Sequence, residues 1–285
     1  MLRSTAPALY GASHLFSILQ LALYQALNRI RLNPLLHSIL HDWEELAVTA
    51  HQHPVSLHTL APMCPTTIGA TDTSKHGMGS FWFHTTHNPP SPPCVWRSPF
   101  PLDIQQRLLT HANPNGQLSK SNLELLVVIC GAALAAQRAP TPLNTFIATD
   151  NTPALSWLTK GSTTTKKAPA FLLHLLARLR HDTPFNLTTL FTPGSSNTLA
   201  DCCSHLFHLT DDQFLDYINT NIPVQPSWTL VTPPTSLCCK LNSALYSRLQ
   251  QLASPPKGNV LDTACGTYGK TSVHPYHVAP SCTTY

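Results

Sequence analysis

Charge is scarce in this chain. Only 13 of its 285 residues are acidic and 17 are lysine or arginine, so charged side chains amount to 11%, against roughly 25% in ordinary globular proteins. The hydrophobic content of 42% nevertheless excludes a wholly disordered polypeptide, which combines low hydrophobicity with high net charge. A run of about 18 uncharged apolar residues, enough to span a bilayer, is also missing. The most apolar stretch, 125–136, is too short. No Cys-x-x-Cys occurs among the nine cysteines, and the odd count with adjacent pairs at Cys202-Cys203 and Cys238-Cys239 fits neither a disulfide framework nor a zinc ribbon. Reduced thiols in an intracellular protein, cytoplasmic or nuclear, are the expectation. Cys202-Cys203 and His51-Gln52-His53 would suggest zinc, but adjacent cysteines cannot easily share a tetrahedral site. Residues 10–27 are apolar, yet Gln20, Gln25, Arg29 and Arg31 make a poor signal-peptide cleavage region. The net charge of +4 suits a polyanionic partner without requiring one.

Proline is what the chain has in excess, with 26 residues, and it punctuates the pattern. Leu15, Ile18, Leu19, Ala22, Leu23 and Ala26 recur at helical spacing and predict a helix over 12–29, with a second over 35–48. Pro54, Pro62 and Pro65 mark a boundary near residue 60. Short apolar strands follow at 67–72, 79–84 and 95–97, expected to form an antiparallel meander. Ser121 opens a helix with Leu123, Leu126, Val127, Cys130 and Leu134 on one face. A buried strand at 146–149 leads to a helix capped by Asn151 and stopped by Gly161. Leu172, Leu175, Leu176 and Leu179 mark the next helix, 187–191 reads as the fifth strand, and Asn197 is expected to cap a helix reaching about 207. The fold class is α/β, a five-stranded mixed sheet flanked by helices, over about 66–208. Helical appendages are expected at 1–60 and 209–253, the latter opened by a Thr210–Gln213 capping box, with a disordered tail over 254–285.

Scarcity makes the acidic positions informative. Between 72 and 201 they are Asp72, Asp103, Glu124, Asp150, Asp182 and Asp201. Asp72 and Asp150 lie at strand ends, and Glu124 and Asp201 near helix starts. Such positions meet at one edge of a mixed sheet, where four carboxylates repel one another unless cations compensate. Hard oxygen ligands select magnesium or manganese. Each position also has a local reading: an Asx turn at Asp72, a Ser121–Glu124 capping box, a helix cap at Asp150 and a helix N-terminus at Asp201.

Taken together, the residues resemble the ribonuclease H domain of retroelement reverse transcriptases. Gly69-Ala70-Thr71-Asp72-Thr73-Ser74 with Gly77-Met78-Gly79 and Phe81-Trp82-Phe83 resembles its first hairpin, and Ser121-Asn122-Leu123-Glu124-Leu125 its first helix. Ala148-Thr149-Asp150-Asn151-Thr152 with Ala154 and Trp157 resembles its fourth strand and following helix. Pro193-Gly194-Ser195-Ser196-Asn197-Thr198-Leu199-Ala200-Asp201 is similar to its Pro-Gly-x-x-Asn-x-x-Ala-Asp block. The resemblance implies that Asp72, Glu124, Asp150 and Asp201 hold two Mg2+ or Mn2+ ions and catalyse hydrolysis of the RNA strand of an RNA–DNA hybrid. The 2′-hydroxyl would distinguish the two strands. Asn151, Lys160, Lys166 and Lys167 are the candidate substrate contacts, with Arg178 and Arg180 either tracking phosphates or ending a helix. No small-molecule cofactor and no membrane are expected. Residues 1–60 are similar to the connecting segment that follows a polymerase, which makes a polymerase domain a candidate partner. One departure stands out: Phe191 occupies the position of a histidine usual in that family. His205 and His208, past Asp201, are the candidates to replace it. The alternative is a catalytically silent module that binds nucleic acid or scaffolds a partner.

Overall fold

The computed structural model describes residues 12–24, 32–52, 64–85, 91–138, 143–163, 168–183 and 185–252. Lys166, Lys167, the boundary near 60 and the tail 254–285 lie outside them.

Three strands, β1 (Thr67–Thr73), β2 (Gly77–His84) and β3 (Cys94–Pro99), form the predicted antiparallel meander. Strand β4 (Leu143–Thr149) then pairs parallel with β1, and β5 (Phe185–Phe191) parallel with β4. The sheet is mixed as expected, but it has six strands rather than five. Thr229–Val231 forms β6, parallel to β3, in the order β5-β4-β1-β2-β3-β6. Three residues are too few to display a period, so only the pairing with β3 identifies this strand.

Helices α1 (Ala12–Tyr24) and α2 (Pro34–Gln52) precede the sheet, and a short α3 (Leu102–Gln106) follows β3. Then come α4 (Lys120–Arg138), α5 (Thr152–Lys160), α6 (Ala168–Asp182), α7 (Thr198–His205), α8 (Asp211–Asn221) and α9 (Thr235–Leu252). Every residue of α4 from Asn122 to Ala136 is buried, as a helix apolar all round must be in a globular core. It is long and apolar enough to cross a membrane by composition, yet 83% of that window is covered by protein.

The two faces of the sheet follow from the period of two along each strand. Gly131 of α4 lies against Ser80 and Thr71, whereas Cys203 of α7 lies against Gly79. Neighbouring residues of β2 point to opposite faces, so α4 and α7 sandwich the central strands. A Cβ at Gly79 would stand 2.3 Å from that of Cys203, so glycine is what lets α7 settle onto β2. On the α4 side, Trp82, Trp96, Leu126 and Ile129 share a core with Leu237, Leu241 and Leu245 of α9. On the α7 side, Val95 packs with Leu199, Cys203, Phe214, Ile218 and Trp228. Segments after residue 209 therefore supply both a strand and part of the core.

Local signals hold in places and yield in others. The Thr210–Gln213 capping box forms, and Asn151 Oδ1 accepts from the Ala154 N–H at 3.0 Å. Asn197 precedes α7 but its side chain makes no cap; its Nδ2 donates to the Thr71 carbonyl at 2.8 Å instead. A tertiary bond to β1 has outcompeted the local one. Ser121 and Glu124 form no capping box either, because α4 already begins at Lys120 and Glu124 turns inward.

Candidate metal centre

Strand periodicity decides what surrounds the end of β1. Thr71 faces α4, so Asp72 is directed to the α7 side and Thr73 back to the α4 side. Thr73 Oγ1 accordingly donates to Glu124 Oε1 at 2.7 Å. Asp72 Oδ2 accepts a short hydrogen bond from Ser204 Oγ. Ser204 itself is held by the Asp201 carbonyl at 3.1 Å. The parallel pairing of β4 with β1 brings Asp150, at the end of β4, to the same edge.

The result is two groups that share Asp72. Ligand atoms of Asp72, Glu124 and Asp150 lie within 4.8 Å of one another, and so do those of Asp72, Asp201 and His205. All four predicted carboxylates thus converge around Asp72, which is 5% exposed, and Glu124, which is fully buried. Glu124 Oε2 is buried with no hydrogen-bond partner. An unsatisfied buried carboxylate oxygen carries a large desolvation penalty, and a cation is the group that would relieve it. An all-oxygen donor set with one such orphan fits a hard divalent ion.

The electrostatics point the same way. Burial first, and the neighbouring Asp72 and Asp150 charges next, push the Glu124 carboxyl up to about 7 against the Thr73 hydrogen bond and Lys120. Burial also raises Asp72, assisted by Asp201 and Asp150 and opposed by Ser204 and Lys120. Lys120 was not foreseen from the sequence. Its Nζ lies 3.6 Å from Glu124 Oε1, and the charges of Glu124, Asp72 and Asp150 raise its affinity for a proton despite desolvation. It is the cation already present beside the trio.

The loop after β5 closes one side. Thr192 N–H donates to the Thr149 carbonyl at 3.1 Å, and a Cβ at Gly194 would stand 3.0 Å from Asp150 Oδ2. Phe191, just ahead of that loop, is 55% exposed; it fills no core pocket. His205 reaches the carboxylates, while His208 is exposed.

The remaining candidates are more dispersed. Asn151 spends its side-chain oxygen on the α5 cap. Lys160 is exposed at the far end of α5, about 13 Å along the helix axis from its start. Arg178 Nε lies 4.0 Å from Asp42 Oδ1, and Arg180 sits over the Phe185 ring and donates to the Leu187 carbonyl. Both serve contacts within the chain. Asp42 of α2 pairs closely with His174 of α6. Burial opposes its charge, but the His174 bond and Arg178 hold its carboxyl below the usual range. The seven described cysteines, Cys202 and Cys203 among them, are all free.

No protein-family model and no curated protein matches the sequence. The structure defines an α/β protein with a mixed sheet and an acidic cluster suited to a divalent cation.

Proposed function

We propose that this chain is a divalent-metal-dependent ribonuclease H of the retroelement type, hydrolysing the RNA strand of RNA–DNA hybrids. The observation that carries the reading is the convergence of Asp72, Glu124, Asp150 and Asp201 with the buried, unpartnered Glu124 Oε2. Paired divalent ions supply activation of water and charge stabilisation at the leaving oxygen of an in-line phosphodiester displacement. Asp72 belongs to both groups and would bridge. Glu124 and Asp150 would join it in holding one ion, and Asp201 the other. Thr73 and Ser204 fix the carboxylate orientations by hydrogen bonds. Cleavage leaves a 3′-hydroxyl on one RNA fragment and a 5′-phosphate on the other.

The test is cleavage of a labelled hybrid by the full chain with Mg2+ or Mn2+, with the 5′ ends of the products identified. Asp72→Asn and Asp150→Asn should abolish cleavage while remaining folded. Metal should also raise the wild-type melting temperature, since a ligand of the folded state stabilises it by mass action. Absence of cleavage with both metals, alongside metal-induced stabilisation, would favour the silent hybrid-binding module, an option consistent with Phe191 at the histidine position.

A further inference from the structure

Asn197 is 4% exposed and stands directly ahead of α7, yet its side chain caps nothing there. Its bonds run elsewhere. Thr66 and Ser74, which flank β1, bond across to Thr85 and Gly77 on the β2 side, so along the strand the odd-numbered residues, Thr71 among them, direct their carbonyls to β4. Pairing of β1 with β4 ends at Ala70 opposite Ala148. The Thr71 carbonyl beyond it accepts from Asn197 Nδ2 at 2.8 Å. A side chain thus supplies the donor that a longer β4 would have given, at the point where the two strands part and Asp72 and Asp150 emerge. The Asn197 N–H also donates to the Gly194 carbonyl at 3.0 Å, closing the 3₁₀ turn Gly194–Ser196. That turn is the one whose glycine lies against Asp150 Oδ2.

Stability alone does not account for this arrangement. A carbonyl can only accept, so the bond to Thr71 fixes the orientation of the carboxamide and leaves Oδ1 buried with no partner. An orphaned buried acceptor costs at least as much as one neutral hydrogen bond gains. We propose that Asn197 is a positioning residue of the cation centre, holding the end of β1 and the Gly194–Ser196 turn together and so fixing the separation of the Asp72 and Asp150 carboxylates. The inference rests on the metal centre proposed above and deepens it. Asn197 touches neither cation nor substrate; it acts through the backbone of one segment that carries a ligand and another that confines one. Mg2+ demands near-ideal octahedral geometry, so carboxylates free to drift apart bind it less well.

The experiment is calorimetric titration of the full chain with Mg2+ and with Mn2+, in wild type and Asn197→Leu, alongside metal-free melting curves of both. Leucine occupies a similar volume, removes the orphaned Oδ1 and leaves the Thr71 carbonyl unpaired in its place, so the melting temperature is expected to change little. The Mg2+ dissociation constant should rise about tenfold, the scale on which residues that orient metal ligands act. In hybrid cleavage the same variant should lower kcat by a similar factor and leave KM for the hybrid unchanged, because no substrate contact is removed. Asn197→Ala, which cannot overfill the site, is expected to behave alike and decides the matter if the leucine variant does not fold. Folded variants that bind Mg2+ as tightly as wild type would overturn the inference, reduce Asn197 to packing and leave the acidic centre standing. A wild type that binds neither ion would overturn both.

Discussion

Thr73 Oγ1 donates to Glu124 Oε1 across 51 residues of sequence, while the other oxygen of the same buried carboxylate has no partner. One oxygen is satisfied by the fold and the other is left for something else. That asymmetry sets the behaviour of the metal-free protein.

Glu124 is pushed up to about 7 from an ordinary 4.5. Its folded value lies above its unfolded one, so the folded state binds the proton more tightly. The corresponding stability is complete below the unfolded value and is lost as pH rises through the folded one. Metal-free protein should lose on the order of 3 kcal/mol between about pH 5 and pH 8, with Asp72 contributing in the same direction. Urea denaturation across that range measures it. Glu124→Gln should flatten the profile and saturating Mg2+ should reduce its slope; a wild-type profile that rises with pH refutes the assignment.

Lys120 shares the trio with any incoming cation. Lys120→Met should lower the metal-free melting temperature, because like charges are left uncompensated, and at the same time tighten metal binding several-fold. Calorimetric titration with Mg2+ and Mn2+ tests the second half. Weaker binding in the variant would mean that the ammonium aids rather than competes with the cation.

Gly194 admits the Asp150 carboxylate at close range. Gly194→Ala should displace that carboxylate by a few tenths of an ångström and weaken metal binding about tenfold, as small errors in ligand position do, with the metal-free melting temperature little changed. Equal metal affinity in wild type and variant would show that Asp150 yields freely.

Arg97 secures the helix that carries Asp201 and His205. Its guanidinium, largely buried, pairs with Asp211 at 2.8 Å, donates to the Leu206 and Leu209 carbonyls and lies over the Phe214 ring. Arg97→Met is expected to destabilise by about 2 kcal/mol, since it leaves two part-buried carbonyls without their charged donor. Chemical denaturation gives the value, and a loss below about 0.5 kcal/mol would place Arg97 among ordinary surface residues.

Exposure of Phe191 makes Phe191→His a clean substitution, with stability expected to change by less than about 0.5 kcal/mol. If the loop before Pro193 presents the imidazole to the carboxylate edge, hybrid cleavage should accelerate within the ~10²–10⁴-fold range of general acid–base assistance. A folded variant no faster than wild type would show that the loop points elsewhere or that proton transfer does not limit the rate.

The carboxylates were legible in the sequence because a chain poor in acid placed them at strand ends and helix starts, and strand periodicity brings those ends together. Lys120 was not, since a lysine opening a helix looks solvated until the tertiary position of Glu124 is known. Asn197 misled because a good capping residue was claimed by the Thr71 carbonyl. Arg97 reads as a polar strand residue; only the α7–α8 turn reveals the carbonyls around it. The short β6 between prolines has no signal of its own and depends on β3.

Helix α4 leaves the ribosome long before α9, whose Leu237, Leu241 and Leu245 share its core. At roughly 5–20 residues per second, the chain between them takes on the order of ten seconds to make. Through that interval a helix apolar enough to pass for a membrane span lacks part of its protein cover. Synthesis itself, rather than the finished fold, is therefore the stage at which this helix has least protein around it.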